Sequence, residues 1–411
     1  MKYLKNTELA EMYKVSEDTI TNWVKAARQK KINLQVVEEG KRTYIVNNPY
    51  NHVILKNLSE KAKKYKNRKR LKIVTPKEEF YKVYGERQII DIISNLEINK
   101  EIPHKYAYFN GGAHWFDAYA QRVSQEDGPS TLKKSIEALD FDTEYIYSLI
   151  RKYKKVNVID IGPGNSLPVR KFIDFLLSKD KLRKYIAVDI SPEMLKVSEK
   201  NLRSWFGKDF PFEGHVRDIN VDSIQELLFT NTHFSEREDQ SYINLVFFIG
   251  STIENQRKYD ESLHTIKNSM GKHDLLLLGQ VLDSDTSKMH LAFSAKERST
   301  QNSDLGLILT VVDFLNISDD MYEVYRYYDP EERARIISIA LKFDVDIKFE
   351  TKSFKQTVSI SSKDEVIVFR HNHHTGIEVI NTMNDIGFDL LHATTSSSAD
   401  QIHVISKIRP I

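Results

Sequence analysis

Three aspartates and one polar cluster, each standing where an apolar run stops, are the residues of this sequence best placed to do chemistry. In VIDIGPGN (158–165) branched apolar residues end at Asp160, and Gly162 and Gly164 follow at alternate positions. Alternate glycines let a backbone turn tightly and approach a ligand closely, and Asn165 and Ser166 add polar groups to the same turn. YIAVDIS ends at Asp189 and Ile190, HVRDIN at Asp218 and Ile219, and INLVFFIGSTIENQ at Gly250, Ser251, Thr252, Glu254 and Asn255. An acid ahead of the glycines suits a cation and would repel a pyrophosphate. The third glycine of a dinucleotide fingerprint is also missing, because Leu167 stands in its place. Asp189 lies one strand–helix–strand step further on, where an acid takes both ribose hydroxyls of an adenosine. Asp218 can accept from an adenine amino group while Ile219 packs on the ring. Taken singly, each acid also reads as an ordinary strand-end turn residue.

To act together these acids must stand at one edge of the fold. VNVIDI, KYIAVDI, INLVFFIG and DLLLLGQVL are short apolar runs. They are separated by amphipathic segments to Leu177, from Pro192 to about Trp205, and from Tyr259. That alternation predicts an α/β fold with a doubly wound parallel sheet, whose ligands bind beyond the carboxyl ends of the strands. An adenosine and a cation at that edge point to S-adenosylmethionine, with S-adenosylhomocysteine as product, on a Rossmann-like class I methyltransferase sheet. DVDIKFET, QTVSISS and DEVIVFRHN alternate more strongly and predict an added antiparallel α+β region for substrate recognition. A helix from Gly376 to Ile386 and a strand QIHVISKI follow. Residues 77–150 read as mainly helical, with 106–119 as a loop-rich insertion, and 151–411 as the cofactor-binding domain.

The start of the chain is different in kind. Residues 1–75 hold 18 lysines and arginines against 7 acids, a net +11, whereas the remainder is net −9. Asn6 or Thr7 can cap a helix through Tyr13, with Leu9 and Met12 facing inward. Ser16 caps a second, with Ile20, Val24 and Ala27 inward and Thr19, Thr21, Asn22, Lys25 and Arg28 outward. LQVV, EEGKR and TYIV then read as strand, turn and strand, with Arg42 in the turn. This order, over 1–48, resembles the winged helix-turn-helix of MerR and excisionase modules. The resemblance implies DNA as partner through the named outward residues and Arg42, and is compatible with a homodimer on a palindromic site. Residues 49–76 read as a basic linker or arm, because seven of residues 61–70 are basic. A docking module for protein remains the alternative.

DIGPGNSLPVRKFIDFLL, YIAVDISPEMLKVSEKNL and FFIGSTIENQ resemble the histidine-specific methyltransferase family, which methylates the α-amine of histidine on the route to ergothioneine. YFNGGAHWFDAY (108–119) is similar to another segment of that family, so the resemblance spans about residues 105–411. It implies Gly162 and Gly164 under the methionine moiety, Asp189 on the ribose, Asp218 with Ile219 on the adenine, and Asn255 on the acceptor amine. Glu254 replaces a family glycine and would contact the positive end of the acceptor. Tyr108, His371 and His373 would line the acceptor pocket. Phe369 and His371 stand where the family has the glutamate and serine that read an imidazole, and EDGPSTLKKS lacks its tyrosines. An acceptor other than histidine is therefore expected, an amino-acid-like or other small amine.

Several classes are excluded or disfavoured. With no cysteine there is no disulfide, thiolate zinc site or cysteine nucleophile. HNHH lacks a fixed third ligand, so no metal is expected, although His290 or His403 would be the residues to join it. NNPY (47–50) departs from the motif of DNA amino-methyltransferases, with Asn48 at the first proline. No apolar stretch of signal or membrane-spanning length occurs, and a cytoplasmic location without membrane partners is expected. Three functions remain: a small-molecule N-methyltransferase joined to a DNA-binding module, a regulator that senses S-adenosylmethionine or a metabolite without turnover, and a nucleic-acid or protein methyltransferase.

Overall fold

Leu9, Ile20 and Val24 lose their contact with water by packing together, and two short helices form around them. The computed structural model describes residues 3–40, 42–68, 71–128, 130–229, 241–250, 252–284, 297–298 and 305–409. It divides into two units, residues 1–73 with 343–346 and residues 74–342 with 347–411. The first begins with β1 (Tyr3–Leu4), α1 (Asn6–Tyr13), α2 (Glu17–Arg28), β2 (Val36–Glu39), β3 (Arg42–Val46) and α3 (Pro49–Arg68). Ser16 accepts the Thr19 N–H at the start of α2, and Glu17 and Asp18 meet the positive end of its dipole. α1 starts one residue earlier than its polar residues predict. Lys5 is the N-cap, and the Glu8 carboxylate accepts its N–H at 2.8 Å. Met12, expected inward, is exposed. The three strands form an antiparallel sheet in the order β1-β3-β2.

Residues 49–68, expected as a basic linker, are instead the long helix α3, and the reason is an apolar stripe. Leu55 is 1% exposed in the same core as Leu9 and Ile20, with Ile54 and Leu58 packed beside it. Asn51, also buried, donates to the carbonyls of Gln35 and Val46 and accepts from the Gln35 N–H, each at 2.8 Å.

The second unit follows a short strand, β4 (Lys72–Val74). It opens with α4 (Glu78–Val83), α5 (Glu86–Ile98), a 3-10 turn at His104–Tyr108, α6 (Gly112–Gln125) and α7 (Thr131–Ile150). The segment 106–119, expected as loop-rich, is therefore largely helical. One of its glycines reflects crowding, since a Cβ on Gly112 would stand 2.0 Å from the Ala107 carbonyl oxygen, and the other, Gly111, has φ +87°. Alternation then begins with β5 (Lys155–Ile161), α8 (Arg170–Ser178), β6 (Leu182–Asp189), α9 (Pro192–Phe206), β7 (Phe212–Val216), α10 (Gln225–Leu228), β8 (Tyr242–Phe248), α11 (Tyr259–Ser269) and β9 (Leu275–Val281). Next come β10 (Glu297–Arg298), α12 (Gly306–Phe314), β11 (Tyr322–Asp329), β12 (Ala334–Leu341), β13 (Val345–Glu350), β14 (Lys355–Ile360) and β15 (Glu365–Asn372). α13 (Gly376–Ile386), β16 (Phe388–Thr395) and β17 (Gln401–Ile408) complete the unit.

The central sheet has the order β16-β17-β9-β8-β5-β6-β7. Strands β9 to β7 are parallel, and β17 is antiparallel to both its neighbours, so the expected parallel sheet is a mixed one. Alternate side chains face opposite layers. Val156 and Val158 pack with Ile146 of α7 and Phe172 of α8, and Ile159 and Ile161 with Ile266 of α11 and Met383 of α13. A second sheet, β10-β11-β12-β15, is antiparallel. Among the described residues no helix is long and apolar enough to cross a membrane.

Leu55→Ala should lower the stability of the N-terminal unit by about 2–4 kcal/mol, seen by calorimetry of the full chain as a lowered transition. An unmoved transition would make α3 an appended arm after all.

Candidate active site

The loop after β5 is built from below. Asp160 is 2% exposed, and the Tyr185 hydroxyl of β6 donates to its carboxylate. Gly162 and Gly164 both have positive φ, +63° and +53°, which favours glycine. Their Cβ sides are filled by protein: a Cβ on Gly162 would meet Thr252 Oγ1 at 2.4 Å, and one on Gly164 would meet Phe116 Cε1 at 2.9 Å. A ligand therefore reaches these glycines only past their backbone. Asn165 donates to Asp117 of α6 at 3.0 Å, and Asn201 of α9 donates to both Asp117 and the Asn165 carbonyl. Ser166, expected to touch the ligand, is fully buried, with its hydroxyl against Tyr185 and Ser198. Its hydroxyl supports the loop from below.

At the end of β6, Asp189 accepts the Ser191 N–H at 2.8 Å, and Ile190 beside it is half-buried. Desolvation pushes its carboxyl up to about 7. The Asp160 carboxyl is also pushed up to about 7, by burial first and by the charge of Asp189 as well, against the pull of the Tyr185 hydroxyl. Two desolvated carboxyls, one of them also disfavoured by the charge of the other, fit a cationic ligand, which would favour both charges. Gly250, with φ +87°, has open space where a Cβ would stand. The donor set thus fits an adenosine-bearing cation. Ser251 lies outside the described residues.

The adenine pair departs from expectation. Lys105 Nζ lies 2.8 Å from Asp218 Oδ2 and 3.0 Å from Asp91, and the Asn220 N–H reaches Asp218 Oδ1 at 3.2 Å. Ile219 is 7% exposed in the core. Asn220 Oδ1, by contrast, is buried with no donor, so it is an acceptor that the pattern did not single out. Lys105 was also unanticipated, because no periodicity marks EIPHKYAYF.

On the acceptor side, β15 is tied to the loop after β8. The Asn372 N–H donates to the Glu254 carbonyl at 2.8 Å, and its amide to the Gln256 carbonyl at 2.6 Å. Glu254 is 1% exposed. Its Oε1 accepts the Val281 N–H at 2.8 Å, and its Oε2 has no hydrogen-bond partner. Burial pushes this carboxyl up to about 8. Asn255 Oδ1 is likewise buried without a donor. His371 Nδ1 stands 3.3 Å from His373 Nε2. A ladder of rings continues from them: Phe369, His104, Tyr108 and Phe116, with the His104–Phe369 centroids 4.9 Å apart and Tyr108–Phe116 5.6 Å. Since Phe116 covers Gly164, the ladder joins the expected acceptor residues to the expected cofactor loop. Burial lowers His104 and His373 to about 4 and His371 well below its usual value, so all three imidazoles are neutral near pH 7. His104, which bonds Tyr108 at 3.2 Å, was not legible from sequence. No group of three or more metal-ligating side chains occurs among the described residues.

In the N-terminal unit, Asn22, Lys25 and Arg42 are exposed. Arg28 pairs with Glu38 at 3.2 Å, Thr19 bonds the Ser16 hydroxyl, and Thr21 donates to the Glu17 carbonyl.

A family model described as histidine-specific methyltransferase, SAM-dependent, matches residues 86–406. No curated protein sequence matches the chain. Among solved structures, an S-adenosylmethionine-dependent methyltransferase from Clostridium acetobutylicum is 12% identical with a TM-score of 0.40, covering 73% of this chain and 100% of that one. The CcbJ methyltransferase from Streptomyces caelestis is 9% identical, TM-score 0.39, covering 71% and 96%. Magnesium protoporphyrin IX methyltransferase from Synechocystis is 8% identical, TM-score 0.38, covering 79% and 100%.

The buried Glu254 sets a pH test. Its folded value of about 8 exceeds the ordinary 4.5, so the native state holds the extra proton. Stability from this group is present at low pH and falls as pH rises between those values. Glu254→Gln should therefore melt at higher temperature than wild type at about pH 8.5, with the difference nearly gone at about pH 5. A difference that does not depend on pH would assign the titration elsewhere.

Proposed function

Because the chain belongs to the histidine-specific, S-adenosylmethionine-dependent methyltransferase family, we propose that it methylates the nitrogen of a small amine, amino-acid-like or otherwise, that is not histidine. S-adenosylmethionine is its methyl donor, and the finer reading concerns the acceptor. The observation that carries it is the pair Glu254 and Asn255, each with a buried oxygen lacking a donor, on the loop fastened to the β15 end that bears His371. Asp160, Asp189 and Gly250 would hold the donor, with Asn220 or Asp218 at the adenine. When bound, the donor supplies a methyl group already activated on a cationic sulfur, so no residue has to protonate a leaving group.

The chain's own work is then positioning. Asn255 Oδ1 accepts an N–H of the acceptor and turns the nitrogen lone pair towards the methyl carbon. Burial holds Glu254 protonated near pH 7 in the free protein; once ionised, as a nearby cation favours, its Oε2 receives the amine's positive end and can take the proton that the nitrogen must lose. Neutral His104, His371 and His373 and the ring of Tyr108 exclude water without adding positive charge. Phe369 and His371 offer no carboxylate to an imidazole, which is why histidine is set aside.

The test is turnover with a panel of amino acids and small primary amines, read as S-adenosylhomocysteine release. Asn255→Ala should lower kcat/KM for the best acceptor at least about tenfold, roughly 1.4 kcal/mol, while S-adenosylhomocysteine binds as before. Turnover untouched by the substitution, or histidine as the preferred acceptor, would overturn the assignment.

A second reading concerns the N-terminal unit, which we propose is a winged helix-turn-helix that binds DNA as a tethered module. Exposed Asn22 and Lys25 on α2 and Arg42 favour it. Affinity for duplex DNA should fall steeply with salt and weaken in Lys25→Ala; salt-independent association would point to a protein partner.

A further inference from the structure

Beneath the cofactor loop lies a chain of hydroxyls that no cofactor contact explains. Tyr185 and Ser166 are 0% exposed, as is Ser198 on α9. The Tyr185 hydroxyl bonds Asp160, the Ser166 hydroxyl lies 3.2 Å from it, and the Ser198 hydroxyl lies 2.6 Å from Ser166. Ser166 also adopts φ +61°, a left-handed conformation unfavourable for a residue with a side chain. Its place in the loop is paired with the bonds its hydroxyl makes below.

The proton count gives this chain a direction. A phenol has one proton, and a carboxylate can only accept. If Asp160 is ionised, Tyr185 donates to it, so the Ser166 hydroxyl must donate to Tyr185, and the donors run in one sense towards the carboxylate. A protonated Asp160 could still accept from Tyr185 through the oxygen that carries no proton, but as a weaker acceptor than the carboxylate. Aligned donors polarise one another, so the arrangement favours the charged acid in a place that burial makes hostile to charge. The groups facing Asp160 are few. Tyr185 and Asp189 are the titratable ones, and its strand neighbours Ala187 and Phe247 are apolar.

We propose that Tyr185 is a positioning residue, backed by Ser166 and Ser198, that keeps Asp160 ionised and oriented for the cationic end of the cofactor. This rests on Asp160 being a cofactor-binding group, as proposed above. Tyr185 touches no ligand itself, and its effect is transmitted through Asp160.

The experiment is calorimetric titration of the full chain with S-adenosylhomocysteine across about pH 6 to 9, comparing wild type with Tyr185→Phe, Ser166→Ala and Asp160→Asn. Removing the phenol hydroxyl raises the pH at which Asp160 ionises. Tyr185→Phe should therefore bind about tenfold more weakly near pH 6 for each unit of that rise, and the gap should close towards pH 9. The ligand's own titration cancels in the ratio. Ser166→Ala, which leaves the Tyr185–Asp160 bond in place, should shift in the same direction by less. A Tyr185→Phe deficit equal at every pH, with Asp160→Asn weak, would overturn the inference alone. Asp160→Asn binding as well as wild type would overturn the cofactor assignment and the inference with it.

Discussion

Desolvation of carboxyls at the ends of parallel strands is the constraint around which the second unit is arranged. Asp160 and Asp189 stand on adjacent strands, with Asp189 two residues beyond Ala187, the partner of Asp160, and its charge felt there. Among the described residues, neither is paired with a lysine or arginine. The surrounding structure meets the difficulty with neutral donors: a phenol for Asp160 and a backbone N–H for Asp189. Asp218 shows the contrast, since Lys105 already neutralises it. The edge therefore holds two acids with neutral donors and one with a lysine.

The acceptor side follows a related logic with different materials. Glu254 is dry, receives one backbone donor and leaves one oxygen unsatisfied. On the strand fastened to its loop, the imidazoles of His371 and His373 are neutral because burial keeps them so.

Much of this was legible in sequence because the signals were local. The runs ending at Asp160 and Asp189 announced strands by their branched residues, and Ser16 announced α2. The misses have a common cause in contacts between distant residues. Lys105 and His104 matter through Asp218 and Phe369, which no spacing connects to them. Ser166 looked like a ligand contact because it follows two glycines, yet Tyr185 and Ser198 claim its hydroxyl. Residues 49–68 looked like an arm because charge masked the Ile54, Leu55 and Leu58 stripe. β11 is rich in half-buried tyrosines rather than alternating apolar residues, so it carried little strand signal.

The order of the central sheet has a consequence for how the molecule comes into being. β9 joins the parallel strands on one side, but its other edge is closed only by β17, which lies far later in the chain, beyond the whole of the second sheet. During synthesis the strand LLLLGQV waits as a bare apolar edge, the kind of surface that recruits other chains. The carboxyl end of β9, from which Val281 reaches Glu254, is thus shielded late, and nascent protein should depend on chaperone cover through that interval.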